Sequence, residues 1–169
     1  EQHYSTLHSA HELLGFSASP DDCALTLRGA RTLHIRYPAH AERALQVAQW
    51  LEGHDAVVAV HYPALPSSPD HPLWLSQYEG AAGLFTMELY DVDTQRVTSF
   101  LDQLKLFGRG ASWGGFESLA LPCPIAESRC VDDWEKRGAL VRLHIGLEDP
   151  LDLINDLAQA LAAAGCRTR

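Results

Sequence analysis

Residues 139–150 read ALVRLHIGLEDP. Val141, Leu143, Ile145 and Leu147 fall on one face of a two-residue period, and Arg142, His144 and Gly146 fall on the other, the pattern of a strand with one buried face. Asp149 then stands as an N-cap with Pro150 at the first helical position and Asp152 in the first turn, and Leu153, Leu157 and Leu161 follow on one side of that helix. The strand therefore hands the chain directly to a core-facing helix. A strand written this way can turn its polar face to water, and that is what periodicity alone leads one to expect for Arg142.

GLFTMELY at 83–90 alternates as a strand, and Val97, Phe100, Leu101 and Leu104 after it recur at helix spacing. KLFGRGASWGGFESLAL at 105–121 reads as strand, glycine-rich turn, strand, and 122–138 as irregular. Upstream, valine-dense 56–62 reads as a strand. The proline-rich 63–78 reads as a rigid loop with at most one helical turn. Residues 1–15 carry Leu7, His11 and Leu14 at helical spacing and end near Gly15. Ser19 caps a long helical stretch beginning at Pro20, which Pro38 should kink or restart. Ala44, Val47, Ala48 and Leu51 make one apolar stripe ending at Gly53. Strands joined by short turns favour an α+β fold: a mostly antiparallel sheet with helices packed on one face.

At 169 residues, 46% hydrophobic and 21% charged, the chain suits one soluble domain with a real core. A net charge of −9 argues against a nucleic-acid groove or an anionic membrane surface, and no apolar run reaches the length of a membrane span. Small molecules or other proteins are the expected partners, and the cytoplasm the expected compartment. Cys23, Cys123, Cys130 and Cys166 form no CxxC pair, so buried free thiols are expected. The chain opens in mid-helix without an initiating methionine, as a piece of something larger would.

Nine histidines invite a metal site. His8 and His11 can share a helix face, but no HExxH motif accompanies them, and no metal is expected. Ser112 lies in SWGGF without the G-x-S-x-G elbow of a hydrolase. Gly110, Gly114 and Gly115 allow a sharp turn, or close approach of a ligand to backbone. A guanidinium such as that of Arg142 suits bidentate capture of a carboxylate, provided the two segments meet in space.

GASWGGFESLAL followed by LVRLHIGLEDPLDLINDLAQAL resembles the C-terminal domain of the pyridoxal-phosphate enzymes of transsulfuration, most closely their bacterial cystathionine β-lyase branch. LRGARTLHIR at 27–36 and VAVHYPALPSSPDH at 58–71 match the same pattern in the same order. The resemblance implies the small domain of a fold type I enzyme over 1–169, with long inter-domain helices over 1–50 and a sheet-and-helix domain over 56–165. It implies that Arg142 grips the substrate α-carboxylate and that Ser112 lies beside the catalytic lysine's amino group. It implies that Trp113 brings its backbone near the same carboxylate and marks β- over γ-elimination. Ala111 departs from the tyrosine of the nearest relatives. Lys105 and Lys136 lie outside the cofactor-lysine motif, so no catalytic residue is expected in this chain, and neither bound cofactor nor activity in isolation. The whole enzyme would be a pyridoxal 5′-phosphate-dependent homotetramer cleaving an amino-acid thioether, L-cystathionine, in methionine biosynthesis. A γ-synthase, a γ-lyase or a non-catalytic binding module are the alternatives.

Overall fold

The computed structural model describes residues 3–90, 93–125 and 138–166. Most of the irregular 122–138 segment, with Cys130 and Lys136, lies outside the described residues. The chain divides into two compact units, residues 1–35 and 36–169.

In the first unit, α1 (Tyr4–Leu14) stops where Gly15 adopts a left-handed φ of 66°, a conformation glycine enters without steric cost. Next, α2 (Pro20–Ala30) opens with a capping box in which the Asp22 N–H donates to Ser19 Oγ at 3.1 Å and the Ser19 N–H donates back to the Asp22 carboxylate at 3.4 Å. Neither helix has a buried residue, so the Leu7 and Leu14 stripe stays exposed. The helical stretch breaks at Arg31–Thr32, not at Pro38: both the N–H and the hydroxyl of Thr32 donate to the Gly29 carbonyl, closing a turn. Pro38 is instead carried inside α3 (Leu33–Glu52). Its missing N–H forfeits one helical hydrogen bond, which the rest of a 20-residue helix tolerates.

In the second unit the chain continues through β1 (Val57–His61), α4 (His71–Gln77), β2 (Leu84–Leu89), α5 (Thr94–Gln103), β3 (Gly108–Arg109), β4 (Leu119–Pro122), β5 (Ala139–His144) and α6 (Pro150–Ala163). Seven residues of α4 replace the single expected turn. The strands make one sheet in the order β1-β2-β5-β4-β3. Phe85 and Met87 of β2 stand opposite Leu143 and Val141 of β5, and all four are buried. Phe100 and Leu101 of α5, Leu153, Leu157 and Leu161 of α6 and the α3 stripe join them in one core. Burying each such side chain contributes about 1.5–3 kcal/mol, which is what holds helices and sheet together.

The fold is α+β with a mostly antiparallel sheet, the exception being the parallel pair β3–β4. Residues 110–118 are too long for a hairpin turn, and their polar groups bond to the chain leaving β5 instead. The cysteines also depart from expectation: Cys23 is exposed, and Cys123 and Cys166 are half-buried. Burial pushes the Cys166 thiol up, against a smaller opposing pull from Arg96.

Candidate functional site

Antiparallel register aligns His61 of β1, Thr86 of β2, Arg142 of β5 and Leu121 of β4 in one row across the sheet, on the face opposite the core. That face is not simply solvated at β5. Arg142 is half-buried, and its Nη2 is fully buried with no hydrogen-bond acceptor among the described residues. His144, two residues on, is 2% exposed. The expectation that periodicity set for this face is therefore corrected, because the 110–118 turn and His40 of α3 pack against the end of the strand.

Several hydrogen bonds hold that turn in place. The Gly114 N–H donates to His144 Nε2 at 3.1 Å. The Ser118 N–H and Ser118 Oγ both donate to the Glu148 carboxylate at 2.8 Å, and Ser118 Oγ accepts from the Gly146 N–H at 2.8 Å. The Leu147 N–H donates to the Phe116 carbonyl, and Arg43 Nε donates to the Glu148 carbonyl at 3.1 Å. GLED is thus a clasp: its carboxylate and amides hold the glycine turn against the exit of β5. Gly114 itself has φ of 77°, which favours glycine.

His40 enters from α3, donating from Nδ1 to the Ile145 carbonyl at 2.8 Å. Its ring lies 5.4 Å from that of His144, centroid to centroid. Burial holds the His144 pKa below the ordinary 6.5. The Gly115 carbonyl pulls it back up, His40 pushes it down, and Glu148 and Arg142 act as smaller opposing neighbours. His144 is therefore neutral near pH 7.

The sequence-derived candidates fall into two groups. Arg142 sits in the cluster. Ser112 and Trp113 are exposed on the turn, and no hydrogen bond joins either to the guanidinium among the described residues; the link runs through Gly114 and His144. Sequence reasoning passed over His40, Ser118 and Glu148. His40 did leave a signal, since it extends the Ala44, Val47, Ala48 and Leu51 stripe by one helical turn. Glu148 left none, being one acid among several near a helix start. His8 pairs with Glu12 at 3.4 Å on an exposed helix face, and among the described residues no group of three or more His, Cys, Asp and Glu could hold a metal.

Fold and cluster together define the class: an α+β domain whose sheet carries a half-buried arginine beside a pinned, glycine-built turn. The family model for Cys/Met metabolism PLP-dependent enzymes matches residues 1–162, and the chain belongs to that family. It is 43% identical over 167 residues to a putative cystathionine beta-lyase of Rhizobium johnstonii, covering 96% of this chain and 42% of that protein. It is 41% identical to an L-alanine/L-glutamate racemase of Wolbachia pipientis wMel, covering 96% of this chain and 41% of that protein. The fold matches a crystal structure of cystathionine gamma synthase from Xanthomonas oryzae pv. oryzae, in complex with aminoacrylate and cysteine, with a TM-score of 0.77 and 35% identity over 90% of this chain and 40% of that one. The chain spans about two fifths of the length of these relatives. The family's cofactor is pyridoxal phosphate. No helix among the described residues is long and apolar enough to cross a membrane.

Proposed function

We propose that this chain forms the substrate-carboxylate side of a pyridoxal-phosphate carbon–sulfur β-lyase acting on L-cystathionine. The observation that carries the proposal is Arg142 Nη2, a buried donor without an acceptor among the described residues, set beside a turn fixed in place. A buried unpaired guanidinium N–H costs free energy, and a substrate carboxylate supplies the missing acceptor. That donor also fits the amino-acid ligand a pyridoxal-phosphate enzyme must hold beside its cofactor.

The chemistry pyridoxal phosphate supplies when bound is an electron sink for the pair left at Cα when its proton departs. This chain's own part is orientation. Arg142 holds the α-carboxylate so that the Cα–H bond points where a base can take it. Ser112 lies beside the lysine amino group that comes from the rest of the enzyme, and the Trp113 backbone closes over the carboxylate. The schiff-base lysine is assigned to neither Lys105 nor Lys136, and the chain alone is assigned no activity. The whole enzyme is a cytoplasmic homotetramer of methionine biosynthesis, converting cystathionine and water to homocysteine, pyruvate and ammonia.

A reading with chemistry at Cγ has support in the likeness to a γ-synthase structure; Trp113 favours β. Product analysis separates the two. The full-length protein, supplied with pyridoxal phosphate and L-cystathionine, is expected to release pyruvate and homocysteine. Release of 2-oxobutyrate and cysteine would replace the β-lyase assignment with a γ-lyase.

A further inference from the structure

Three buried side-chain nitrogens lack a partner among the described residues: His40 Nε2, Arg142 Nη2 and His144 Nδ1. The proposed function uses only the arginine. His40 and His144 are 5% and 2% exposed, on different elements, with their rings in contact distance. Two buried imidazoles are costly to keep unless something requires them.

Their hydrogen bonds assign the protons. A carbonyl only accepts, so the contact to Ile145 puts a proton on His40 Nδ1. His144 Nε2 is 3.1 Å from the Gly114 N–H and 3.3 Å from the Gly115 carbonyl, and a neutral ring nitrogen can serve only one of them. The N–H at Gly114 can only donate, and its contact is the shorter, so Nε2 accepts and the His144 proton sits on Nδ1.

We propose that His144, backed by His40, is a positioning residue: it accepts the Gly114 N–H and so ties the 112–115 turn to the strand that carries Arg142, making the two walls of the carboxylate site move as one. The strand fixes His144 and Arg142 on one face two residues apart. Glu148 fixes the far end of the same turn through Ser118, whereas among the described residues the side-chain bond to its middle, next to Ser112 and Trp113, comes from His144. His40 holds the strand's exit through the Ile145 carbonyl and packs its ring against that of His144, which fixes where the His144 ring sits.

This rests on Arg142 as the carboxylate clamp, and the test separates the two. In the full-length enzyme, His144→Gln keeps a carbonyl oxygen near the place of Nε2, whereas His144→Asn is too short to reach Gly114. KM for L-cystathionine is expected to rise about fivefold to tenfold in His144→Asn, as for one lost hydrogen bond, and to stay within about twofold of the parent in His144→Gln. For an analogue lacking the α-carboxylate, neither variant should alter KM. Equal KM values for both variants and the parent, with Arg142→Ala still raising KM, would overturn the role of His144 and leave the clamp standing. An Arg142→Ala variant with parental KM would remove the clamp itself. Should both His144 variants fail to fold, nitrogen-15 spectra of the histidine rings in the unaltered enzyme decide. A proton on Nδ1 of His144 is expected, and a proton on Nε2 would contradict the proposal.

Discussion

His144 is a neutral imidazole held inside the protein, and its protonation opposes folding. Its folded pKa lies below the 6.5 of the exposed ring, chiefly through burial, with His40, Arg142, Glu148 and the Gly115 carbonyl as the groups that face it. An unfolded chain therefore binds the proton more readily. The stabilisation is fully present above pH 6.5 and is lost as pH falls from there through the folded pKa. Melting temperature is expected to fall on acidification across this window by more in the parent than in His144→Gln; identical pH profiles would refute the neutral assignment. Tyr62 behaves oppositely. Burial, aided by Tyr37, pushes its phenol up to about 12, so it stays a donor to the Ala82 carbonyl at 2.7 Å. Tyr62→Phe should destabilise by about 1 kcal/mol, the net worth of one such bond, read by urea unfolding.

Among the elements, the 110–118 turn depends on how closely it lies against the exit of β5. A Cβ built at Gly146 would collide with the Phe116 carbonyl and the Glu148 carboxylate. The first of these is backbone and cannot swing aside, so Gly146→Ala must push the turn away. It should cost about 1–3 kcal/mol, as overpacking does, and raise KM in the full-length enzyme, while Gly115→Ala, which meets open space, should leave stability nearly unchanged. The core elements were legible in sequence because burial imposes a period: Val141, Leu143, Leu153, Leu157 and Leu161 are all buried where alternation and helix spacing put them. The clasp was not, because Ser118, Gly146 and Glu148 meet by hydrogen bonds between segments about thirty residues apart, and such bonds leave no periodic trace. Arg142 shows the same limit. Period two assigned its face correctly, but only the turn folded over that face says it is covered.

At the scale of the whole molecule, stability is uneven. The 1–35 unit has two 11-residue helices without a buried residue, and helices of that length are marginal in water without packing. In the 169-residue chain, the amides of α1 and α2 should exchange with solvent far faster than those of β5 and α6; equal protection would show that they gain support elsewhere. The family was legible in sequence because its motifs are local strings, SWGG and GLEDP, whereas the division into two units follows from contacts no string records. The carboxylate site rests most directly on Arg142. In the full-length enzyme, Arg142→Ala should raise KM for L-cystathionine sharply and lower kcat/KM by about 2–4 kcal/mol, the loss of a charge-assisted pair, with little change for an analogue lacking the α-carboxylate. An unchanged KM for cystathionine would contradict it.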